Sequence, residues 1–256
     1  MDCGEEKQPL RFKLISCEIF FREMCAAVAR SPHFVDIEFL PKGLHDMGSD
    51  KMLARLQKAV DGVSNYDAIL LGYGLCNNGL AGLTARAIPL VLPRAHDCIT
   101  LFMGSKERYL EYFNSHPGVY FKTTGWIERG ENNGELRQLS IPRQLGIDMS
   151  YEQLIAKYGE DNARYLFGTL GNYVKNYSQY TFIEMGIGPD DRFERHTREE
   201  AVRRGWQFEK IQGDISMIQR LVDGIWDDKE FLVVPSGWRV SAKYDAGIVS
   251  AEEAHS

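Results

Sequence analysis

A chain of 256 residues that is 44% hydrophobic is long enough to bury a substantial core, as one large α/β domain or two smaller ones. Thirty basic against thirty-six acidic side chains leave a formal charge of −6 without a long run of either sign, which argues against nucleic-acid and anionic-membrane surfaces and for a small-molecule or protein partner. No apolar stretch approaches the roughly 20 residues that cross a bilayer, and Met1 to Gln8 lacks a signal-peptide core, so the chain is expected to be cytoplasmic and off the membrane. Thiols stay reduced there, so the five cysteines read as ligands, nucleophiles or core residues rather than disulfides.

Residues 1–10 read as a disordered leader that contains Cys3. Arg11 to Ser16 is a strand, and Phe21, Met24, Cys25 and Val28 then recur at helical spacing, which places Cys25 in the core and Cys17 at the strand-to-helix turn. Val35 to Leu40 is a second strand, followed by a loop with Pro41, Gly43 and His45. A helix from about Asp50 carries Leu53, Leu56, Val60 and Val63 on one face. Asp67 to Leu71 is a buried strand that opens into Gly72-Tyr-Gly74-Leu-Cys-Asn77, a loop whose glycines tolerate positive φ. Ile88 to Leu92 is the next strand; after Pro93 come Arg94, His96 and Cys98, and one helical pattern runs from Ile99 to Phe113 before a strand at Val119 to Thr123.

Strand and helix alternate throughout residues 11–124, so the fold class expected is α/β, a mostly parallel sheet with flanking helices, Rossmann-like. The pattern changes over 125–178, a helical insertion with Ser150 and Gln153 as a capping box and an aromatic stripe from Tyr165 to Tyr177. Alternation resumes over 179–243, as a second lobe or a continuation of the sheet. Its elements are strands at Thr181 to Met185, Gln207 to Ile211 and Phe231 to Val234, a helix capped by Thr197 with Glu200, and a helix from Asp214 to Ile225. Residues 244–256 read as a frayed tail.

Cys17, Cys76, His96 and Cys98 all fall just after strands, and His45 follows another. The carboxyl ends of parallel strands share one crevice, and thiolate plus imidazole is a ligand set for zinc or iron. These four residues are the expected metal ligands, with zinc as the first cofactor and iron or an iron–sulfur cluster as the alternative. Arg94, whose guanidinium matches a carboxylate or phosphate, His45 and Glu18 are the candidate catalytic groups. Gly72, Gly74 and Asn77 begin like a dinucleotide fingerprint and are the candidate cofactor-binding positions, although Asn77 stands where a third glycine belongs and a tight loop presenting Cys76 accounts for the glycines better.

The runs Ser16-Cys-Glu-Ile-Phe-Phe-Arg-Glu23, Leu40-Pro-Lys-Gly-Leu-His-Asp46, Leu71-Gly-Tyr-Gly-Leu-Cys-Asn-Asn-Gly79, Pro93-Arg-Ala-His-Asp-Cys-Ile-Thr100 and Gly104-Ser-Lys-Glu-Arg-Tyr109 closely resemble the domain-of-unknown-function family numbered 1638, over about Phe12 to Val240. The resemblance implies a setting in anaerobic bacteria and methanogens, beside corrinoid-dependent one-carbon methyltransferase systems. Zinc-dependent thiol methyltransferases of those systems use a His-x-Cys pair and a distant Cys, a ligand chemistry that His96, Cys98 and Cys76 are similar to, though this chain carries no (β/α)₈ alternation. The function expected is therefore a metal-dependent transferase of methyl or one-carbon groups, with a small-molecule substrate and a corrinoid or methyltransferase protein as partner. An iron–sulfur hydro-lyase, a non-catalytic accessory protein and a metal-free enzyme with one reactive cysteine are the competing readings.

Overall fold

Apolar runs bounded by turn residues form the strands of the computed structural model, which describes residues 8–129 except Asn77, isolated positions between 155 and 164, and residues 177–254, without the side chains of His45 and Asp46. The first strands in the chain are β1 (Arg11–Cys17), β2 (Phe34–Leu40), β3 (Ala68–Gly72) and β4 (Leu90–Pro93). Val119–Thr123 is β5, Gln179–Glu184 β6, Gln207–Gln212 β7, Phe231–Val234 β8, Trp238–Ala242 β9 and Val249–Glu253 β10. The helices are α1 (Phe21–Val28), α2 (Ser49–Asp61), α3 (Cys98–Met103), α4 (Lys106–Ser115), α5 (Thr124–Glu128), α6 (Arg192–Arg204) and α7 (Ser216–Val222).

The main sheet has the order β2-β1-β3-β4-β8, parallel but for β8, which pairs antiparallel with β4. Every residue of β3 and β4 is buried, as central parallel strands covered on both faces must be. α2 adds Met52, Leu56 and Val60 to the core, each worth about 1.5–3 kcal/mol of apolar burial. From β1 the chain steps to β2 on one side, while β3 lies on the other. Ligands of open α/β sheets bind at such a switch, outside the strands' carboxyl ends. A second parallel sheet has the order β5-β6-β7, and β9 with β10 forms an antiparallel hairpin.

The α/β class and the mostly parallel sheet agree with the sequence reading, and several finer expectations change. β5, expected to complete the first lobe, pairs with β6, whereas β8 closes the edge of the main sheet, as a continuation of that sheet would have it. Local periodicity sets where a strand lies in the chain and is blind to which edge it joins. The expected frayed tail holds β10, with Ile248 and Val249 buried, because Arg94 clasps it: Nε donates to the carbonyls of Asp228 (2.8 Å) and Phe231 (3.1 Å), and Nη1 to those of Gly247 (3.0 Å) and Val249.

Cys25 is exposed rather than in the core. The chain enters α1 through the 3₁₀ turn Glu18–Phe20, so the buried face runs Phe20, Glu23, Met24, Ala27 and leaves Phe21 and Cys25 outside. The single helix expected from Ile99 to Phe113 divides at Gly104, which takes a left-handed conformation, and Ser105 caps the second half by accepting from the Arg108 N–H. Thr197 is buried in the middle of α6, where its hydroxyl donates to the Phe193 carbonyl, and does not cap it. Of the expected insertion over 125–178, α5, Tyr177 and isolated positions are described; the proposed capping box and the rest of the aromatic stripe lie outside the described residues, as do Cys3 and most of the leader.

Candidate thiol centre

Cys17 ends β1, Cys76 follows β3 and Cys98 begins α3 after β4. Two main-chain bonds zip the last two loops together: Leu75 N–H donates to the Ala95 carbonyl (2.8 Å) and Cys76 N–H to the His96 carbonyl (3.0 Å). Gly74 makes this approach possible, since a Cβ there would stand 2.7 Å from the Asp97 main chain. Cys76 itself is held at φ 47°, a left-handed conformation that costs a residue with a Cβ about 1–2 kcal/mol and that concentrates at functional sites. Asp97 fixes the other loop: Oδ1 accepts from Ile99 N–H (3.0 Å) and caps α3, and Oδ2 accepts from the Tyr109 hydroxyl (2.9 Å).

The three cysteines line one cavity of about 20 Å³ with Tyr73, Lys42, Met52 and Trp126 among its other walls. That is room for a single water or ion. α5 delivers Trp126 because Gly125 is pressed on the 3₁₀ turn after Cys17, where a Cβ would lie 1.7 Å from the Ile19 carbonyl oxygen, and because Arg22 holds Glu128 in a two-pronged ion pair at 2.8 and 2.9 Å. Lys42 Nζ stands 4.2 Å from the centre of the Trp126 ring.

Burial pushes the Cys76 thiol well above its ordinary pKa; the Cys17 and Asp97 charges add to this, against the opposing pull of the Gly74 and Cys98 main-chain N–H groups. Cys98 is raised by burial and then by Asp97, Cys76 and Cys17. Tyr73 is 3% exposed, and its buried hydroxyl has no hydrogen-bond partner among the described residues. Tyr73 lines the cavity beside the thiols, and its pKa is raised by burial first and then by Cys17 and Cys76. Thiols raised in this way stay protonated until a cation offsets their charge. Among the described residues no three His, Cys, Asp or Glu side chains are set to hold one ion as they stand.

The other expected residues are placed elsewhere. The His96 side chain is exposed and outside the cavity lining; its carbonyl, not its ring, joins the centre. Glu18 Oε1 accepts from Lys42 N–H (2.8 Å) and so positions the loop over the cavity. Arg94 is spent on four carbonyls of the C-terminal segment. The His45 side chain lies outside the described residues, as does Asn77. Gly72 packs against the Ser16 side chain, and Gly74 against Asp97, so both glycines serve close packing between loops. Tyr73, Lys42 and Trp126 were missed by the sequence reading. Tyr73 carried a signal, being the large residue held between two glycines directly after a buried strand.

A larger cleft of about 410 Å³ adjoins the cavity, and Cys98 and Trp126 line both. Among the described residues no helix is long and apolar enough to cross a membrane. A family model, described as protein of unknown function (DUF1638), matches residues 39–222, which takes in Cys76 and Cys98 but not Cys17. No curated protein and no solved structure matches.

Proposed function

The chain belongs to the DUF1638 family of proteins of unknown function, and from that starting point we propose that it is a metalloprotein whose ion is held by Cys17, Cys76 and Cys98. The observation that carries the reading is that three cysteines from three strand ends, spread over more than eighty residues of sequence, line one ion-sized cavity with a phenol that has no hydrogen-bond partner among the described residues. Thiolates select zinc or iron. The cavity volume favours a single zinc ion over an iron–sulfur cluster, which is several times larger. Tyr73 stands next to the thiols as a fourth polar group, and closure around an ion requires rotation of the cysteine side chains. The raised thiol pKa values weigh against a metal-free reactive cysteine, which works by a depressed one.

A bound ion would act as a Lewis acid or lower the pKa of a substrate thiol. The protein's own groups would exclude water, through Trp126 and Met52, and supply positive charge, through Lys42. The strand order β2-β1-β3-β4 suits a Rossmann-like, doubly wound fold with its site at the β1/β3 switch. Transfer of a methyl or other one-carbon group to an activated thiol is the reaction class we assign. A small-molecule substrate and a corrinoid or methyltransferase protein are its partners, in the cytoplasm where thiols stay reduced.

Single alanine variants at Cys76 and at Cys98 test the ligand set. Each is expected to lose stoichiometric metal while retaining a cooperative unfolding transition; full metal content in both variants would refute this site. Metal that a chelator removes freely, with no turnover of thiol acceptors, would recast the protein as a carrier.

A further inference from the structure

The cleft beside the thiol centre has a wall of rings: Tyr109, Phe113, Tyr120, Phe121, Trp126 and Tyr177. Tyr109 stacks with Phe113 at 5.7 Å and tilts against Phe121 at 6.5 Å, while Tyr120 meets Tyr177 edge to face at 5.3 Å. At about 410 Å³ the cleft is the size of a small-molecule pocket. Two of its three phenols, Tyr109 and Tyr120, are engaged internally. The Tyr109 hydroxyl donates to Asp97, and Tyr120 is side-chain hydrogen-bonded to Trp126. Apolar surface, much of it ring, predominates in the lining and rewards an aromatic guest by offset or edge-to-face contact.

Charge narrows the guest further. Among the described residues the lining holds one carboxylate, Asp97, and no Lys, Arg or His. An anion is therefore repelled by a partly buried carboxylate that nothing in the described lining neutralises. A cation is disfavoured at the inner wall, because Lys42 Nζ already stands 4.2 Å from the Trp126 ring centre. We propose that this cleft binds an uncharged aromatic ring and presents its substituent to Cys98. Presentation to the metal rests on the reading above; capture of the ring does not.

The test is binding of benzyl alcohol, cyclohexylmethanol, benzoate and tetramethylammonium to the purified chain, followed by ligand-observed NMR titration with metal content measured on the same samples. Benzyl alcohol is expected to bind at least five-fold tighter than cyclohexylmethanol and at least ten-fold tighter than benzoate. Phe113 is 48% exposed, so Phe113→Ala should weaken benzyl alcohol several-fold without changing the unfolding midpoint. Asp97→Asn keeps a competent helix cap and should narrow the gap between benzoate and benzyl alcohol. Equal binding of ring and saturated analogue, preference for tetramethylammonium, or no saturable binding overturns the proposal. Ring selectivity in metal-free protein would leave this inference standing and remove the metal reading; bound metal without ring selectivity would do the reverse.

Discussion

Glu23 shows how burial rather than partnership sets the behaviour of single residues here. It is fully buried on α1, and among the described residues neither carboxylate oxygen finds a hydrogen-bond partner on another residue. Burial pushes its pKa up to about 7 from an ordinary 4.5, outweighing the pull of its own main-chain N–H and of the Arg22 guanidinium. The native state then holds this proton more tightly than the unfolded chain. Its contribution is fully present below about pH 4.5, declines as pH rises to about 7, and stays lost above, a change of roughly 3 kcal/mol. Glu23→Gln removes that titration. Chemical denaturation of both proteins from pH 4 to pH 8 should show the variant gaining on the wild type by roughly that amount across the window; parallel pH curves would contradict the assignment. Cys76 and Tyr73 follow the same rule, each raised first by burial, and a cation at the thiol centre would reverse the effect on the cysteine.

At the scale of elements, the decisive contact is the zip between the loops after β3 and β4. Gly74→Ala would put a methyl group 2.7 Å from the Asp97 main chain, and overpacking of that kind costs about 1–3 kcal/mol. The expected result is a lowered unfolding midpoint together with weakened metal retention, since Cys76 and Cys98 are separated by the same wedge. An unchanged midpoint would mean that the loops are not held as described. The three cysteine positions were legible in the sequence because each follows an apolar run ended by turn residues, and strand ends of one parallel sheet meet. His96 was not legible. A residue two positions before Cys98 would share its side in a strand, but Asp97 starts a helix there and turns the imidazole outward. Cys25 was misplaced for a related reason, because a 3₁₀ turn shifted the phase of α1. The aromatic cleft was hidden because its rings come from α4, β5, α5 and the residues before β6, elements whose juxtaposition depends on the second sheet.

The whole molecule interleaves its two halves. β5 leaves the first half to found the second sheet, and β8 returns from the second half to close the first, with the β9–β10 hairpin clasped by Arg94. The thiol centre sits at the carboxyl edge of the main sheet, and the cleft lies between α3, α4 and the β5–α5 corner of the second sheet. Cys98 and Trp126 belong to both, so binding in the cleft and chemistry at the thiols are joined through two side chains. This arrangement depends on the chain folding as one unit, and its central claim is that the unit carries an ion. Elemental analysis with an absorption spectrum, on protein purified without oxygen, tests that claim most directly. About one zinc per chain and no colour is the predicted result. Several irons with sulfide would replace the single ion with a cluster, and protein that folds fully with no bound metal would contradict the account.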